Sequence, residues 1–172
     1  MISMDEYLLP VKYQVPTPRS NIVARPRLIE RLDDSLRLDQ PVILIAAPAG
    51  FGKTTLLGEW LSERAGHPAV GWLALDAGDD DPARFLASFA VALRQVAPQI
   101  DPGVVDALFS PRPVPLAHLL VGVLNQAAVQ AGAGVPLLVV VDDYHVIEST
   151  AIHDAVAFVL DHLPPHVYMV LA

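Results

Sequence analysis

The segment with the clearest chemical meaning is AAPAGFGKTT, which occupies positions 46–55 and continues the apolar run PVILI. Small residues let successive backbone N–H groups point into such a turn, and the helix that follows adds the positive end of its dipole. Together these features bind phosphate groups, and their consensus is G-x-x-x-x-G-K-[ST]. Gly52, Lys53 and Thr54 match it, whereas Ala47 replaces the first glycine. Alanine is compatible with that position if its backbone keeps strand-like angles, because only a positive φ requires glycine.

The spacing gives each side chain of this loop a role at a nucleotide, ATP or ADP. Lys53 is expected at the β- and γ-phosphates, the Thr54 hydroxyl at a bound Mg²⁺ ion, and Thr55 near the α-phosphate. The rest of the predicted nucleotide site consists of Pro48, Ala49, Gly50, Phe51 and Gly52. The alternative is a strand–turn–helix junction that is merely rich in glycine. The Lys-Thr pair, in register between an apolar run and a helical pattern, favours the phosphate site.

Two acidic residues end a second apolar run, as Asp142 and Asp143 of the stretch LLVVVDDYH. A nucleotide with Mg²⁺ requires an acid at the end of a neighbouring strand, where it holds the metal's water ligands. Asp142 is assigned this metal role, and Asp143 is the candidate for polarising an attacking water. Lys53, Asp142 and Asp143 are therefore the predicted catalytic residues. The alternative is that the paired acids only begin a loop or cap a helix.

Helical patterns alternate with short apolar runs along the chain. The predicted helices cover residues 27–38, 53–64, 82–97, 115–131 and 150–163. The predicted strands lie within residues 42–47, 70–76, 136–145 and 166–172. This alternation predicts an α/β fold, a three-layer sandwich with a mostly parallel sheet that is truncated after its fourth strand. The strand at 42–47 is expected to be buried on both faces.

The order of these elements constrains the sheet further. Another strand and two helices separate Lys53 from Asp142, which favours the branch of phosphate-loop proteins that inserts a strand between the two sites. Asp81 is predicted to cap the helix that follows it, and Ser149 or Thr150 to cap the last one. The run Asp79–Asp81 is interpreted as a solvated capping turn rather than a cation site.

Residues 1–26 are predicted to form an extended N-terminal arm, and residues 27–172 a nucleotide-binding domain that is incomplete at its C-terminus. Val23 and Arg25 lie just before the first helix and are candidates for folding over the adenine. An ordinary surface entry into that helix is the alternative. His145 lies near the acidic strand end, where it either senses the γ-phosphate or serves only in packing or capping.

Composition limits the function classes. The 172 residues are 53% hydrophobic, contain no cysteine and show neither a secretion leader nor an apolar run long enough to cross a bilayer. These features predict a soluble, cytoplasmic protein without a membrane partner. The net charge of −8 disfavours a chain that grips DNA by itself, because phosphate backbones attract basic surfaces.

Four segments together resemble one family: LLPVKYQVPTPRSNIVARPRLIERL, APAGFGKTTLLGEWL, VGWLALDAGDDDPARFLASFAVAL and LLVVVDDYHVIES. Their combination is similar to the nucleotide-binding domain of the large ATP-binding, MalT-like LuxR-type transcription regulators. These regulators belong to the signal-transduction ATPases with numerous domains (STAND). The resemblance runs from about Leu8 to Ala172, and PAGFGKTT and DDYH are its sharpest parts.

The resemblance implies a switch in which ADP keeps a regulator closed and monomeric, while ATP and an inducer open it and permit self-association. Slow, Mg²⁺-dependent ATP hydrolysis then resets the switch. The arm, the phosphate loop and DDYH are implied to serve adenine, phosphates and Mg²⁺. DNA contact is expected only through a helix-turn-helix domain absent from this chain, and inducer binding through other absent domains. An arginine that senses the γ-phosphate is expected beyond Ala172.

Two other function classes share the phosphate loop. A small-molecule phosphotransferase would need an acceptor pocket and an arginine-bearing lid, for which Arg84, Arg94 and Arg112 are too scattered. A DNA-remodelling ATPase of the AAA type would need a trans-acting arginine and ring contacts, neither of which is identified in the sequence, and the acidic charge balance disfavours a motor that grips DNA without excluding it. A nucleotide switch is therefore the preferred interpretation.

Overall fold

A computed structural model describes residues 10–17, 23–48, 50–64 and 69–172, so Ala49 and much of the N-terminal arm lie outside the described residues. The helices are α1 (Pro26–Arg37), α2 (Lys53–Ser62), α3 (Pro82–Arg94), α4 (Leu116–Ala131) and α5 (Thr150–Asp161). The strands are β1 (Val42–Leu44), β2 (Ala69–Ala74), β3 (Leu137–Asp142) and β4 (Val167–Leu171). Every predicted helix and strand is present, most of them shorter than predicted by a few residues. No helix in the described ranges is long and apolar enough to cross a membrane.

The four strands form one parallel sheet in the order β1-β4-β3-β2. The predicted parallel sheet is confirmed. Strand β4 lies between β1, which leads into the glycine-rich loop, and β3, which ends at Asp142. The inserted strand expected from the order of elements is therefore present. Because all strands run the same way, the glycine-rich loop and the acidic strand end emerge at the same edge of the sheet.

Helices cover the sheet on both faces, as a three-layer sandwich requires. On one face α3, α4 and α5 pack on alternate strand residues such as Val139, Val141 and Met169. On the other face α1 and α2 pack on the intervening residues, including Leu138, Val140 and Val170. Strand β3 is buried along its whole length. Its continuous apolar sequence is explained by this position inside the sheet, with helices above and below.

Strand β1 departs from the prediction. The segment 42–47 was expected to be a strand buried on both faces, but β1 comprises three residues and only Ile43 is buried. The Leu44 side chain is 72% exposed. The reason is positional: no β1 residue belongs to the core beneath α3, α4 and α5, so its second face is uncovered in the described part of the chain.

The run Asp79–Asp81 is more than a solvated turn, because each carboxylate has a different partner. Asp81 accepts hydrogen bonds from the backbone N–H groups of Ala83 and Arg84, both at 3.0 Å, and caps α3 as predicted. Asp80 accepts from the backbone N–H groups of Glu148 and Ser149, at 2.8 and 2.7 Å. Ser149 is the N-cap residue of α5, as predicted, but its side chain makes no cap hydrogen bond, and Asp80 binds the backbone just before that helix instead.

The third acid, Asp79, is fully buried and helps to anchor the N-terminal arm. Its carboxylate accepts from the Lys12 ammonium and, at 2.7 Å, from the Ser88 hydroxyl. Lys12 also bonds Asp76 at 2.8 Å, and the Tyr13 hydroxyl lies 3.4 Å from Ser88. The described arm is therefore not simply extended, because Pro10–Tyr13 forms a 3-10 turn held against β2 and α3.

Further along, the arm passes very close to α2 at Gly58. A Cβ atom built on Gly58 would lie 2.7 Å from the Pro16 carbonyl oxygen, a backbone atom that cannot rotate away. Gly58→Ala is expected to displace the arm and to lower the free energy of unfolding by about 1–2 kcal/mol, because the contact is overpacked. The measurement is the urea midpoint of unfolding.

A matched control lies in α4, where nothing stands within 4 Å of a Cβ built on Gly122. Gly122→Ala is expected to raise stability by about 0.5–1 kcal/mol through helix propensity alone. Equal midpoints for the two variants would show that the arm does not press on α2.

Both tryptophans are buried, as their predicted core positions require. The Trp60 indole N–H donates to the Asp33 carboxylate at 2.7 Å, and Arg64 Nε donates to the same oxygen at 2.9 Å. The Arg64 guanidinium lies 5.7 Å from the centre of the Trp60 ring. These contacts fix α1 against α2, the helix that begins at the glycine-rich loop.

Candidate functional site

The glycine-rich loop leads from β1 into α2, and its backbone explains its sequence. Gly50 and Gly52 have φ values of +81° and +79°, which side-chain-bearing residues rarely adopt. Ala47 is not among the described non-glycine residues with positive φ, so alanine meets the condition set for it above. Helix α2 begins at Lys53, directly after Gly52, and its free N–H groups and positive dipole end therefore lie at the loop.

The two polar side chains at the start of α2 point to different parts of the site. The Lys53 ammonium donates to the Ala47 carbonyl oxygen at 3.2 Å, so the lysine side chain folds back from the start of α2 toward the start of the loop. The Thr54 hydroxyl donates to the Asp142 carboxylate at 2.5 Å. Thr55, the next residue, is exposed, as are Pro48 and Phe51. The structure thus brings Thr54 and Asp142 into direct contact although 88 positions separate them in sequence.

Asp142 is the last residue of β3 and is only 1% exposed. Burial raises the pKa of its carboxyl group, the neighbouring Asp143 charge adds to that effect, and the Thr54 hydrogen bond and Lys53 act against it. A carboxylate that is buried without a fully compensating charge favours a cation beside it. The Thr54 hydroxyl and the Asp142 carboxylate are hard oxygen ligands of the type that Mg²⁺ prefers.

Asp143 occupies a different environment. Its φ of +58° turns the chain sharply after β3, and its backbone N–H donates to Asp142 Oδ1 at 3.0 Å. Its carboxylate is 45% exposed and lies 3.8 Å from the His145 ring nitrogen Nδ1. Within the described residues, no hydrogen bond joins Asp143 to the glycine-rich loop. The structure therefore places the two predicted acids side by side but gives them different surroundings.

The two arm residues are also placed differently. The Arg25 guanidinium donates to the Phe51 carbonyl oxygen at 2.8 Å and lies over the loop at Gly52. It lines a cavity of about 410 Å³ between α1, β1 and the loop, which Lys53 also lines. Val23 is 82% exposed and does not line that cavity. The structure thus joins Arg25 to the predicted site and leaves Val23 outside it.

A second cavity, of about 440 Å³, lies between the ends of β1 and β4 and the turn after β3. Lys53 lines it together with Tyr144 and His145. Tyr144 belongs to the DDYH segment of the family resemblance, but its residue type suggested no separate role from the sequence. Its place in the cavity depends on the tertiary structure, because the chain turns back after β3 and the Tyr144 N–H donates to the Ala172 carbonyl oxygen at 2.9 Å.

Comparison with known proteins identifies similar transcription regulators. The chain is 34% identical over 165 residues to the HTH-type transcriptional regulator MalT of Cronobacter sakazakii and to that of Klebsiella pneumoniae. It is 30% identical over 163 residues to MalT of Vibrio cholerae. In each case the match covers 95% of this chain and 17% of the relative. The chain therefore spans about a sixth of the length of these relatives, and no protein-family model matches it.

Proposed function

Over 95% of its length this chain is a homologue of MalT-type transcriptional regulators, and from that premise we propose that it is their nucleotide-binding switch segment. The proposed ligands are ATP and ADP with Mg²⁺. In the complete regulator, exchange of one nucleotide for the other would change the protein's shape.

One observation carries the proposal, namely the contact between Thr54 and Asp142. A glycine-rich turn alone is a common way to join a strand to a helix, and an acidic strand end alone is a common way to begin a loop. Their meeting at 2.5 Å, across an inserted strand, has no such simple explanation. It joins a hydroxyl and a buried carboxylate beside the positive end of α2, which is the set of groups that a metal–phosphate ligand requires.

Each predicted residue has a proposed part in holding the nucleotide. The backbone of the loop from Pro48 to Gly52 would surround the phosphates, and Lys53 would exchange the Ala47 carbonyl for phosphate oxygens. Thr55 would lie at the α-phosphate. Arg25, which donates to the Phe51 carbonyl oxygen of the loop, would contact the base or sugar. Val23 would reach the nucleotide only if the arm moved, since it is exposed in this structure.

The donor set at Thr54 and Asp142 fits a magnesium ion. Both groups supply oxygen, and the cation would relieve the cost of burying the Asp142 charge. Magnesium, when bound, would neutralise charge on the phosphates. The protein's own contribution would be to hold Thr54 and Asp142 in register and to leave Asp143 solvated enough to orient a water. Slow hydrolysis is proposed as the step that resets the switch.

The remaining partners concern the complete regulator. We propose that DNA is bound through a helix-turn-helix domain outside this chain, that an inducer acts through other domains, and that the ATP-bound form self-associates in the cytoplasm. A net charge of −8 supports the assignment of DNA binding to another part of the protein. The segment described here would supply the nucleotide dependence of these events.

The experiment uses the chain's two lysines, Lys12 and Lys53, as internal probes in the intact protein. An amine-specific reagent is applied without ligand and with ATP, ADP or GTP in the presence of Mg²⁺, and mass spectrometry follows each site. ATP and ADP are expected to slow modification of Lys53 strongly, because phosphate oxygens would cover its ammonium. Lys12 is expected to be unaffected, since its side chain is 11% exposed and already paired with Asp76.

Thermal unfolding provides the second measurement. A ligand at a hundredfold excess over its Kd stabilises the folded state by about 2.7 kcal/mol. Absence of both Lys53 protection and stabilisation with every nucleotide would refute the proposed function. Rapid transfer of phosphate to a small acceptor would replace the switch by a phosphotransferase.

A further inference from the structure

Helix α4 carries no charged side chain, although the protein as a whole is strongly acidic. Residues 107–141, which include all of α4, contain no aspartate or glutamate and a single basic residue, Arg112. The complete sequence has 19 acidic residues and a net charge of −8. Two copies of so acidic a chain repel each other, so a face without acidic side chains is where they can approach closely.

The exposed residues of α4 lie on one side of the helix, because their spacing is that of neighbouring turns: His118, Asn125, Gln126 and Val129. Gly122 belongs to the same stripe, and nothing stands within 4 Å of a Cβ built on it, so it faces open space. It also lies near the middle of the 16-residue helix. Without a side chain at that point, the backbone of a second helix can approach α4 closely.

The loop that leads into α4 holds an exposed aromatic ring in a fixed place. Phe109 is 74% exposed. The Ser110 hydroxyl donates to the carbonyl oxygens of Ala107 and Arg112, at 3.1 and 2.7 Å, and the Val114 N–H donates to the Ala107 carbonyl oxygen at 3.1 Å. Because the loop is already ordered, burial of the ring against a second molecule costs little conformational entropy.

An apolar cavity of about 430 Å³ lies at the other end of α4. Residues from the last turns of the helix, the loop after it and the segment before β4 line this cavity, and none of them is Asp, Glu, Lys or Arg. Val129 lines it and is 80% exposed. A cavity of this kind suits an aromatic side chain, the residue type that most often anchors a protein interface in a pocket.

These features complement one another under a two-fold rotation. The loop of Phe109 closes on Val114, two residues before α4 begins, whereas the cavity lies where the helix ends. When two copies of α4 pack antiparallel, the start of each helix lies beside the end of the other. Each Phe109 then meets the cavity of the other copy, and the two Gly122 residues lie close together at the middle. Such a symmetric interface makes every contact twice.

We propose that this face is a contact between two copies of the chain, in which α4 packs antiparallel on α4 and each Phe109 enters the cavity of the other copy. A second copy is the partner because the face complements itself in shape and lacks the acidic charge that keeps the molecules apart elsewhere. The inference depends on this surface and not on what the glycine-rich loop binds.

Analytical ultracentrifugation of the intact protein tests the contact, without nucleotide and with a non-hydrolysable ATP analogue and Mg²⁺. The native protein is expected to form a dimer as its concentration rises. Phe109→Glu and Val129→Glu are each expected to raise the dimer Kd about a hundredfold, because each lost contact occurs twice and accounts for about tenfold. Leu38→Glu is the matched control, since Leu38 is 70% exposed at the end of α1, on the other side of the sheet. It should leave the Kd unchanged.

Cysteine cross-linking tests the antiparallel geometry, because the 172 residues contain no cysteine of their own. Gly122→Cys is expected to form a disulfide-linked dimer under mild oxidation, since only the two-fold pairing brings the two copies of this position within reach of each other. Ser62→Cys is the control. Ser62 is exposed at the end of α2, the helix on the other face of the sheet, and should not cross-link.

A native protein that stays monomeric both with and without the ATP analogue would overturn the inference, and so would a dimer that Phe109→Glu leaves intact. Chains of increasing length without a Gly122→Cys cross-link would indicate a head-to-tail contact and would reject the two-fold pairing. A monomer in which Gly122→Cys is protected from a thiol reagent would assign the face to another segment of the same protein. Protection of Lys53 by nucleotides is measured separately, so failure of this inference is distinguishable from failure of the proposed function.

Discussion

Lys53→Ala is expected to weaken ATP binding about a hundredfold, which corresponds to about 2.8 kcal/mol. The ammonium group lies at the start of α2 and lines both cavities that flank the loop. Charge-assisted hydrogen bonds are the strong ones, and loss of a charged donor at a largely desolvated phosphate costs several kcal/mol. The measurement is the Kd of ATP with Mg²⁺ by calorimetry, compared with the native protein.

The matched control is Arg37→Ala, which removes one positive charge from the exposed end of α1. In the part of the chain that the structure describes, the Arg37 guanidinium pairs only with Asp34 one turn away in the same helix, at 3.0 Å, so its loss tests the general effect of removing a positive charge. Near-ultraviolet circular dichroism of the buried Trp60 and Trp72 checks that each variant is folded. A Kd within threefold of the native value for a folded Lys53→Ala would remove the lysine from the site.

Lys12→Met is expected to lower the free energy of unfolding by about 3 kcal/mol, the largest stability effect anticipated for a single change. Methionine retains the length and the apolar body of lysine but not its charge. Asp79 would remain fully buried, and among the described residues only the Ser88 hydroxyl and the Asp76 backbone N–H would still donate to its carboxylate. Breaking a buried ion pair from one side leaves an uncompensated charge, which is costlier than removing both partners. Urea unfolding measures the loss.

Two further variants test that explanation. Asp76→Asn removes the outer acid of the same cluster, which is 56% exposed, and is expected to cost less than about 1 kcal/mol. The double variant Lys12→Met with Asp79→Asn removes both charges and is expected to recover part of the loss. A double variant no more stable than Lys12→Met would show that the lost packing of the arm, rather than the unpaired charge, dominates.

The pH dependence of this anchor follows from the direction of two pKa shifts. Burial opposes the Lys12 charge, but the hydrogen bonds with Asp76 and Asp79 outweigh it and raise the pKa of Lys12. The Lys12 hydrogen bond lowers the pKa of Asp76. The lysine contribution is therefore complete below its unfolded pKa of about 10.4 and is lost above it, and the Asp76 contribution is lost below about pH 3.9. Between these limits the cost of Lys12→Met is expected to be constant.

The anchor and the candidate site share one structural unit, because the run Asp79–Asp81 binds three different segments. Asp79 holds the arm through Lys12, Asp80 holds the loop that follows His145, and Asp81 caps α3. The arm then returns to the glycine-rich loop at Arg25.

Local pattern was enough to predict the elements, because helical periodicity, apolar runs and prolines act over a few residues. The capping of α3 by Asp81 was predicted for the same reason, since the acid and the N–H groups it binds lie within three positions. The N-cap position of α5 at Ser149 was also predicted locally, but the bond from the Ser149 backbone N–H to Asp80 was not, because Asp80 lies 69 positions away and no local signal points to it. The burial of β1 on both faces was predicted wrongly for a similar reason. The apolar composition of a strand does not reveal which of its faces the helices cover.

For the candidate site, the sequence alone determined which groups are available: a glycine-rich turn after a strand, a lysine and a threonine at a helix start, and an acidic strand end. Their type and spacing are local properties, and the φ angles of Gly50 and Gly52 agree with them. Only the tertiary structure decided which of these groups meet. In the folded chain Thr54 bonds Asp142, and Arg25 bonds the glycine-rich loop. His145 lines the same cavity as Lys53, whereas Val23 is exposed. Such pairings depend on the order of strands in the sheet and on which faces the helices cover, and these are set by the burial of the whole chain rather than by any segment of it.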